Sequence, residues 1–186
     1  GMFYMLGMGL QGRQLGIVGM GQIGIATARR AKAFGMNIAY TRRSPLEDNV
    51  VKELDAKYMS MDELIESSDV LSLHCPYSPA THHLMSENQF ARMKKTAFLI
   101  NTARGPIVHE QALVDALKSG QIAGAGLDVF ENEPAVNPGL LELDNAVLIP
   151  HLGSATVETR AAMADIAATN ALAILAGAQA PNLVTS

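Results

Sequence analysis

Three short stretches carry the side chains best suited to chemistry: Asn101-Thr102-Ala103-Arg104-Gly105, Asp128-Val129-Phe130-Glu131-Asn132-Glu133-Pro134 and Pro150-His151-Leu152-Gly153. Each follows an apolar run that reads as a strand. Arg104 offers a planar guanidinium that grips a carboxylate or polarises a carbonyl. His151 offers an imidazole, which titrates near neutral pH and can exchange a proton with a hydroxyl. Glu133 supplies a carboxylate that would orient such a ring and favour its charged form. Together the three are what oxidation of a hydroxy acid, or reduction of an oxo acid, requires. Singly, each has a plainer reading: Arg104 as an ion-pair partner, Glu133 as a turn residue beside Pro134, His151 as a satisfied histidine after a proline. Their shared place after strand ends favours the chemical reading.

Such loops need a scaffold, and the scaffold is announced by Leu15-Gly16-Ile17-Val18-Gly19-Met20-Gly21-Gln22-Ile23-Gly24. An apolar run stops at a glycine cluster, and a helix-like stretch from Ile25 to Phe34 follows at once. That order lays a dinucleotide pyrophosphate on a helix N-terminus. Gly19 permits the turn, Gly21 lets the backbone approach the phosphates, and Gly24 lets the helix pack on the strand. The amides of Gln22 and Ile23 then face the anion, aided by the helix dipole.

The second strand, Met36 to Thr41, indicates which dinucleotide. Such a strand commonly ends in a carboxylate that binds the ribose 2′-hydroxyl of NAD. Here it ends in Thr41, which is neutral, followed by Arg42, Arg43 and Ser44. Two guanidiniums attract a 2′-phosphate that a carboxylate would repel. The expectation is NADP(H) over NAD(H); the competing reading of the arginine pair is a solvated loop.

Further along, Arg42 to Ala56 reads as a loop and a short helix begun by Ser44-Pro45, and Lys57 to Ser60 as a short strand. Ser60-Met61-Asp62-Glu63 matches a capping box. Strands are expected at Asp69–His74, Thr96–Ile100, Ile122–Val129 and Ala146–Ile149. Helices are expected from Ser86 to about Met93, from Glu110 to Lys118, and from Val157 to Leu175, the last ended by Gly177 and Pro181. Strands alternating with helices imply an α/β fold with a parallel, doubly wound sheet of the Rossmann type, with ligands at the C-terminal strand ends. Residues 1–12 read as a lead-in with a tag scar at Gly1, 13–156 as the dinucleotide-binding domain, and 157–186 as a C-terminal helix and tail.

Composition narrows the partners. Hydrophobic residues make up 48 % of the 186 and charged residues 17 %, as in a globular domain with a large core. A net charge of −4 without a basic run argues against nucleic acid, and no apolar run is long enough for a membrane span. The single cysteine, Cys75, excludes an internal disulfide framework and fits a reducing cytoplasm. It precedes a proline with no activating base in evidence, a weak nucleophile. Metal binding by His74, His82, His83, His109 and His151 is set aside, because adjacent His82 and His83 lack a Cys/His ligand spacing and read as solvated; no metal is expected.

At the level of motifs, the chain resembles the cofactor-binding domain of the D-isomer-specific 2-hydroxyacid dehydrogenases. The matching pieces are Gly19-Met-Gly-Gln-Ile-Gly24, His74-Cys-Pro76 with Thr81, Asn101-Thr-Ala-Arg-Gly105, Leu127-Asp-Val-Phe-Glu-Asn-Glu-Pro134 and Pro150-His-Leu-Gly-Ser-Ala-Thr156. The resemblance implies that Arg104 binds substrate, that Glu133 partners the histidine, and that His151 is the acid–base catalyst. It also implies Gln22 and Ile23 on the pyrophosphate and Cys75, Pro76 and Thr81 along the cofactor. Ala103 and Asp128 would lie near the nicotinamide end, Asp128 accepting from its amide, and Thr102, Arg104, His151 and Gly153 are further cofactor contacts. Tyr40–Ser44 and Gly153–Thr159 look most like the glyoxylate/hydroxypyruvate reductase branch. Glu133 speaks against the formate dehydrogenase branch, which has Gln there.

The same resemblance implies departures. The family's separate substrate domain, built from the first third and the last few dozen residues, is expected to be missing here, as is most of a helix that helps form the dimer. His109 stands where the family often has Asp. Part of the Val157–Leu175 helix would face that missing domain, so Met163, Ile166, Leu172 and Leu175 need another cover, and a homodimer is expected. Without cleft closure the chain is expected to bind cofactor and turn over a small 2-oxo acid feebly or not at all. The alternative function is a non-catalytic NAD(P)-binding sensor or corepressor-like module.

Overall fold

The computed structural model describes residues 7–184, so Gly1 and the start of the lead-in lie outside the described residues. The chain divides into two units, 1–150 and 151–186. The first is built on seven parallel strands: β1 (Gln14–Val18), β2 (Asn37–Thr41), β3 (Lys57–Tyr58), β4 (Val70–Leu73), β5 (Phe98–Asn101), β6 (Gly124–Leu127) and β7 (Ala146–Leu148). Their order is β3-β2-β1-β4-β5-β6-β7. The chain winds outward from β1 to one edge, then returns to β4 and winds to the other. The switch point lies between β1 and β4, where such sheets bind ligands.

Side chains alternate across each strand, and both faces are buried. On β1 and β2, Leu15, Ile17, Ile38 and Tyr40 join one core with Ala28 and Ala31 of helix α1 (Gln22–Ala33) and Leu54 of α2 (Asp48–Leu54). Val18 and Ala39 point the other way, into a larger core with α3 (Met61–Ser67), α4 (Glu87–Arg92) and α5 (Glu110–Lys118). The strand registers pair Val18 with Thr41 and Leu73, Leu73 with Asn101, and Asn101 with Leu127. Loops beginning at Gly19, Arg42, His74, Thr102 and Asp128 therefore leave from one edge of the sheet.

Local signals hold where they are self-contained. Ser60 caps α3: its Oγ accepts from the Glu63 amide at 3.3 Å while the Glu63 carboxylate accepts from the Ser60 amide at 3.0 Å. α5 and α7 (Val157–Leu175) begin and end where the sequence places them. α2 does not begin at Ser44-Pro45; it starts at Asp48, with Glu47 as its N-cap. The reason is tertiary. Leu46 is buried in one core with Tyr40 and Leu54, and its amide donates to the Tyr40 hydroxyl at 3.0 Å, which holds it at the end of β2 and out of a helical turn. The strand expected over 122–129 pairs only over Gly124–Leu127. A 3-10 turn, Gly105–Ile107, and a short helix, α6 (Pro138–Leu141), are additions the pattern did not show. In the second unit, α7 buries none of its residues, and Met163, Ile166, Leu172 and Leu175 are exposed. No helix among the described residues is long and apolar enough to cross a membrane.

At the opposite sheet edge Asp69 ties three strand starts together. Its Oδ2 accepts from the Gln14 amide at 2.9 Å and its Oδ1 from Lys94 Nζ at 3.0 Å, while its carbonyl accepts from the Phe98 amide. Burial raises the Asp69 carboxyl, but the Gln14 amide and the Lys94 and Arg13 charges outweigh it and hold the group below the usual range. A carboxyl whose folded pKa is depressed contributes stability in full above its unfolded value, near 3.9, and loses it as pH falls through the folded one. Asp69→Asn is expected to cost about 1–3 kcal/mol at pH 7 and to flatten the acid limb of the stability curve, as read by urea unfolding between pH 3 and 7. An unchanged acid limb would show that the carboxylate carries no such load.

Candidate functional site: a groove along the C-terminal strand ends

The glycine turn after β1 is forced by backbone proximity. Gly19 has φ +89, and a Cβ there would lie 2.6 Å from the Cys75 Cα and collide with the Cys75 amide. Gly24 is held nearly as tightly, a Cβ meeting the Gly19 carbonyl at 3.0 Å and Ile17 at 3.2 Å, so α1 rides directly on β1. Gly21 differs. It is the N-cap of α1, and a Cβ there would meet nothing within 4 Å. The space beside it is a groove. No acidic residue stands in the first turn of α1 to compete with an anion for its amides, and Gln22 and Ile23 are exposed.

The groove has two halves that share His74, Cys75 and Pro76. One, of about 560 Å³, is lined by Gly19, Gly21, Thr41, Arg42, Arg43, Ser44, Ser78 and Thr81 among others. The other, of about 640 Å³, is lined by Ile23, Tyr77, Thr102, Ala103, Arg104 and Pro106. A long ligand laid across the switch point would thus have one end at the arginine pair and the other at Arg104, with its middle over the start of α1.

Individual side chains add detail. Arg42 and Arg43 are exposed at the end of β2, Arg42 Nη1 lying 3.4 Å from the Met20 carbonyl. Thr81 builds the wall it lines, accepting from the Ser78 amide at 2.8 Å and donating to the Pro76 carbonyl at 2.9 Å. Cys75 is buried, and burial pushes its thiol up, the wrong direction for a nucleophile. His74, beside it in both halves, is pushed down by burial and pairs with the Ser72 hydroxyl at 2.9 Å. It therefore faces the groove as a neutral ring. Its apolar neighbours Leu71 and Leu73 gave the sequence no reason to single it out beyond its motif.

On the other half, Asn101 is buried and knits the turn that presents Arg104. Its Oδ1 accepts from the Ala103 amide at 3.1 Å and its Nδ2 donates to the Arg104 carbonyl at 3.0 Å. Thr102 and Arg104 stay exposed, and Arg104 Nη1 donates to the Ala103 carbonyl at 2.6 Å. Gly105 is pressed against the next loop: a Cβ there would overlap the Phe130 carbonyl. The loops after β5 and β6 are therefore in contact. Asp128, buried, donates its amide to the Asn101 carbonyl at 3.0 Å, and Glu133 Oε1 accepts from the Phe130 amide at 3.1 Å. His151 and Gly153 belong to the second unit, where His151 has φ +51. The pairing of His151 with Glu133 rests on the resemblance.

One expectation is overturned. His83 is not a solvated side chain; its Nε2 lies 2.6 Å from Glu131 Oε1, with both side chains mostly buried. The partners are far apart in sequence, and a fold-level contact of two loops brings them together. His82 is exposed and stacks on His83.

The fold and the groove define a dinucleotide-binding domain of the doubly wound class. The chain belongs to the D-isomer-specific 2-hydroxyacid dehydrogenases: the model of that family's NAD-binding domain matches residues 2–153. It is similar to a glyoxylate reductase of Korarchaeum cryptofilum, 52 % identical over 97 % of this chain and 54 % of that protein. Among solved structures it superposes on a glyoxylate reductase of Paecilomyes thermophila with TM-score 0.85 and 47 % identity, over 90 % of this chain and 51 % of the other. It also superposes on the holo form of Rhodotorula graminis D-mandelate dehydrogenase with TM-score 0.90 and 37 % identity, over 96 % and 53 %. The chain spans about half the length of the curated relatives it matches. The dinucleotide is a nicotinamide cofactor. The open space at Gly21, the uncontested α1 amides and the length of the groove all fit one.

Two glycine substitutions separate the fold from the groove. Gly21→Ala is expected to leave stability within about 1 kcal/mol, because the added methyl meets no protein atom. It should weaken cofactor binding by about tenfold or more, the methyl filling part of the groove beside the first α1 amides. Gly19→Ala is expected to lower stability by several-fold more, since its methyl meets backbone and its φ is positive. Thermal melts and cofactor fluorescence titrations on the two variants check both.

Proposed function

We propose that this domain serves a reductase of small 2-oxo acids, of the glyoxylate or hydroxypyruvate class, with NADP(H) preferred over NAD(H). The observation that carries the reading is the contact of the Arg104 loop with the Glu133 loop beside one end of the groove, Gly105 packed on Phe130. When bound, the nicotinamide supplies hydride transfer to and from the substrate carbon. Arg104 grips the substrate carboxylate or polarises its carbonyl, and Asp128 accepts from the cofactor amide. His151 supplies the proton in reduction and takes it in oxidation, with Glu133 orienting the ring and favouring imidazolium. Gly19, Gly21, Gln22, Ile23 and Gly24 hold the pyrophosphate; Cys75, Pro76, Thr81, Thr102, Ala103 and Gly153 flank the cofactor. Thr41, Arg42 and Arg43 bind the 2′-phosphate. Residues 13–156 form the cofactor domain, and 157–186 reach towards a substrate domain. The protein works in the cytoplasm as a homodimer, in which the exposed apolar residues of α7 find cover.

The coenzyme preference is read by titrating the protein with NADPH and NADH. Tighter NADPH binding is expected, and the Arg42→Ala, Arg43→Ala double variant should lose about tenfold or more of it, about 1.4 kcal/mol, with NADH little changed. Equal or tighter NADH binding by the unaltered protein rejects the preference. In the full-length polypeptide, His151→Ala should lower glyoxylate or hydroxypyruvate reduction by about 10²-fold or more. Glu133→Gln removes the carboxylate proposed to orient the His151 ring, so reduction should fall in that variant too, by less than in His151→Ala. Cofactor binding without turnover of either acid would instead support a nucleotide sensor.

A further inference from the structure

Outside the groove, three imidazoles and three carboxylates gather where the segment before α4 meets the loop after β6. The His82 and His83 rings stack with centroids 3.8 Å apart, and the His109 ring lies 4.6 Å from that of His83. His83 Nε2 is 2.6 Å from Glu131 Oε1, and His109 Nδ1 is 3.2 Å from Glu87 Oε1. The other oxygen of Glu131 accepts from the Glu110 amide at 3.1 Å, and Glu110 Oε1 accepts from the Glu131 amide at 2.6 Å. Each of those two carboxylates thus holds the other's backbone, fastening the loop after β6 to the start of α5.

His83 is the point where this fastening reaches the groove. Its backbone sits at φ +49, an uncommon conformation for a residue with a side chain, and its amide donates to the Pro106 carbonyl at 2.9 Å. Two residues on, the Met85 amide donates to the Ile107 carbonyl at 3.1 Å. The same segment, from Pro76 through Ser78 and Thr81 to Leu84, is one wall of the groove half that holds Arg42 and Arg43. Glu131 does not line either half, yet it is bonded to that wall.

We propose that Glu131 is a positioning residue for the dinucleotide: through His83 it sets the 76–85 wall, so cofactor affinity depends on the His83–Glu131 bond. The proposal rests on the reading of the groove as the cofactor site. Burial pushes the Glu131 carboxyl up, but the Glu110 amide and His83 outweigh it and hold it below the usual carboxylate range. Burial pushes its neighbour Glu110 the other way, upward. Glu131 is thus an anion throughout the range in which imidazoles titrate. The bond is an ion pair when His83 is charged and a hydrogen bond from a neutral ring to a carboxylate when it is not, with His82, His109, Glu87 and Glu110 as the other titratable groups facing it.

The test uses Glu131→Gln, His83→Gln and the double variant. NADH and NADPH dissociation constants are measured by fluorescence at pH 6 and pH 8.5, and amide exchange over residues 76–85 is followed without cofactor. Each single variant should bind about threefold to tenfold more weakly at pH 6, less so at pH 8.5, and the double variant no worse than either single. The His83 and Met85 amides should exchange faster in all three. A merely structural loss would lower affinity equally at both pH values and would add in the double variant; either result overturns the proposal, as do faster exchange with unaltered affinity and unaltered exchange. Should the unaltered protein bind neither cofactor, the reading of the groove fails. Exchange then decides the His83–Glu131 link alone, with faster exchange supporting it and unchanged exchange overturning it.

Discussion

The structure depends on one close approach. Where β1 gives way to its turn, the Gly19 backbone runs against that of Cys75, two residues past the end of β4, with no room for a methyl group. That contact closes the two halves of the sheet at the point where the winding reverses. It also sets α1 directly over the switch point, so the first amides of the helix open onto the space between the β1 and β4 loops. A bulkier residue at position 19 would separate those strand ends, and the middle of the groove with them. The groove is less a pocket between side chains than a gap left by backbone.

The two edges of the sheet do different work. At the edge where the strands begin, Asp69 draws the Gln14 amide and Lys94 onto one carboxylate, a polar fixing of β1, β4 and β5. At the edge where they end, register alone aligns Val18, Thr41, Leu73, Asn101 and Leu127. The loops leaving that edge are then free to carry exposed groups such as Arg42, Arg43, Thr102 and Arg104 without cost to the core. Polar fixing is concentrated on one side and exposed loop groups on the other, as parallel sheets covered on both faces allow.

Three glutamates close together show how position divides labour among identical side chains. Glu110 is buried and holds the Glu131 amide; Glu131 holds the Glu110 amide and a histidine; Glu133 is exposed and accepts from the Phe130 amide. The first two fasten the loop after β6 to α5. Only the third stands where the resemblance puts a partner for a catalytic imidazole. A list of carboxylates could not have sorted them, because what distinguishes them is which backbone amide each one meets.

Much of this was legible in the residues themselves. The Ser60–Glu63 box, the limits of α5 and α7, the alternation of strands with helices and the glycine turn all depend on neighbours a few positions apart, and hydrophobic period and capping chemistry read such neighbours directly. The motif stretches likewise marked Arg104, Glu133 and His151 as the groups to watch. What tertiary structure decided were contacts between distant segments. Gly105 was pressed against Phe130, joining the loops after β5 and β6; the Asp128 amide met the Asn101 carbonyl; His83, expected in water, met Glu131. These pairings come from strand order and register, which bring one loop beside another, and no local period in the chain encodes which loop that will be.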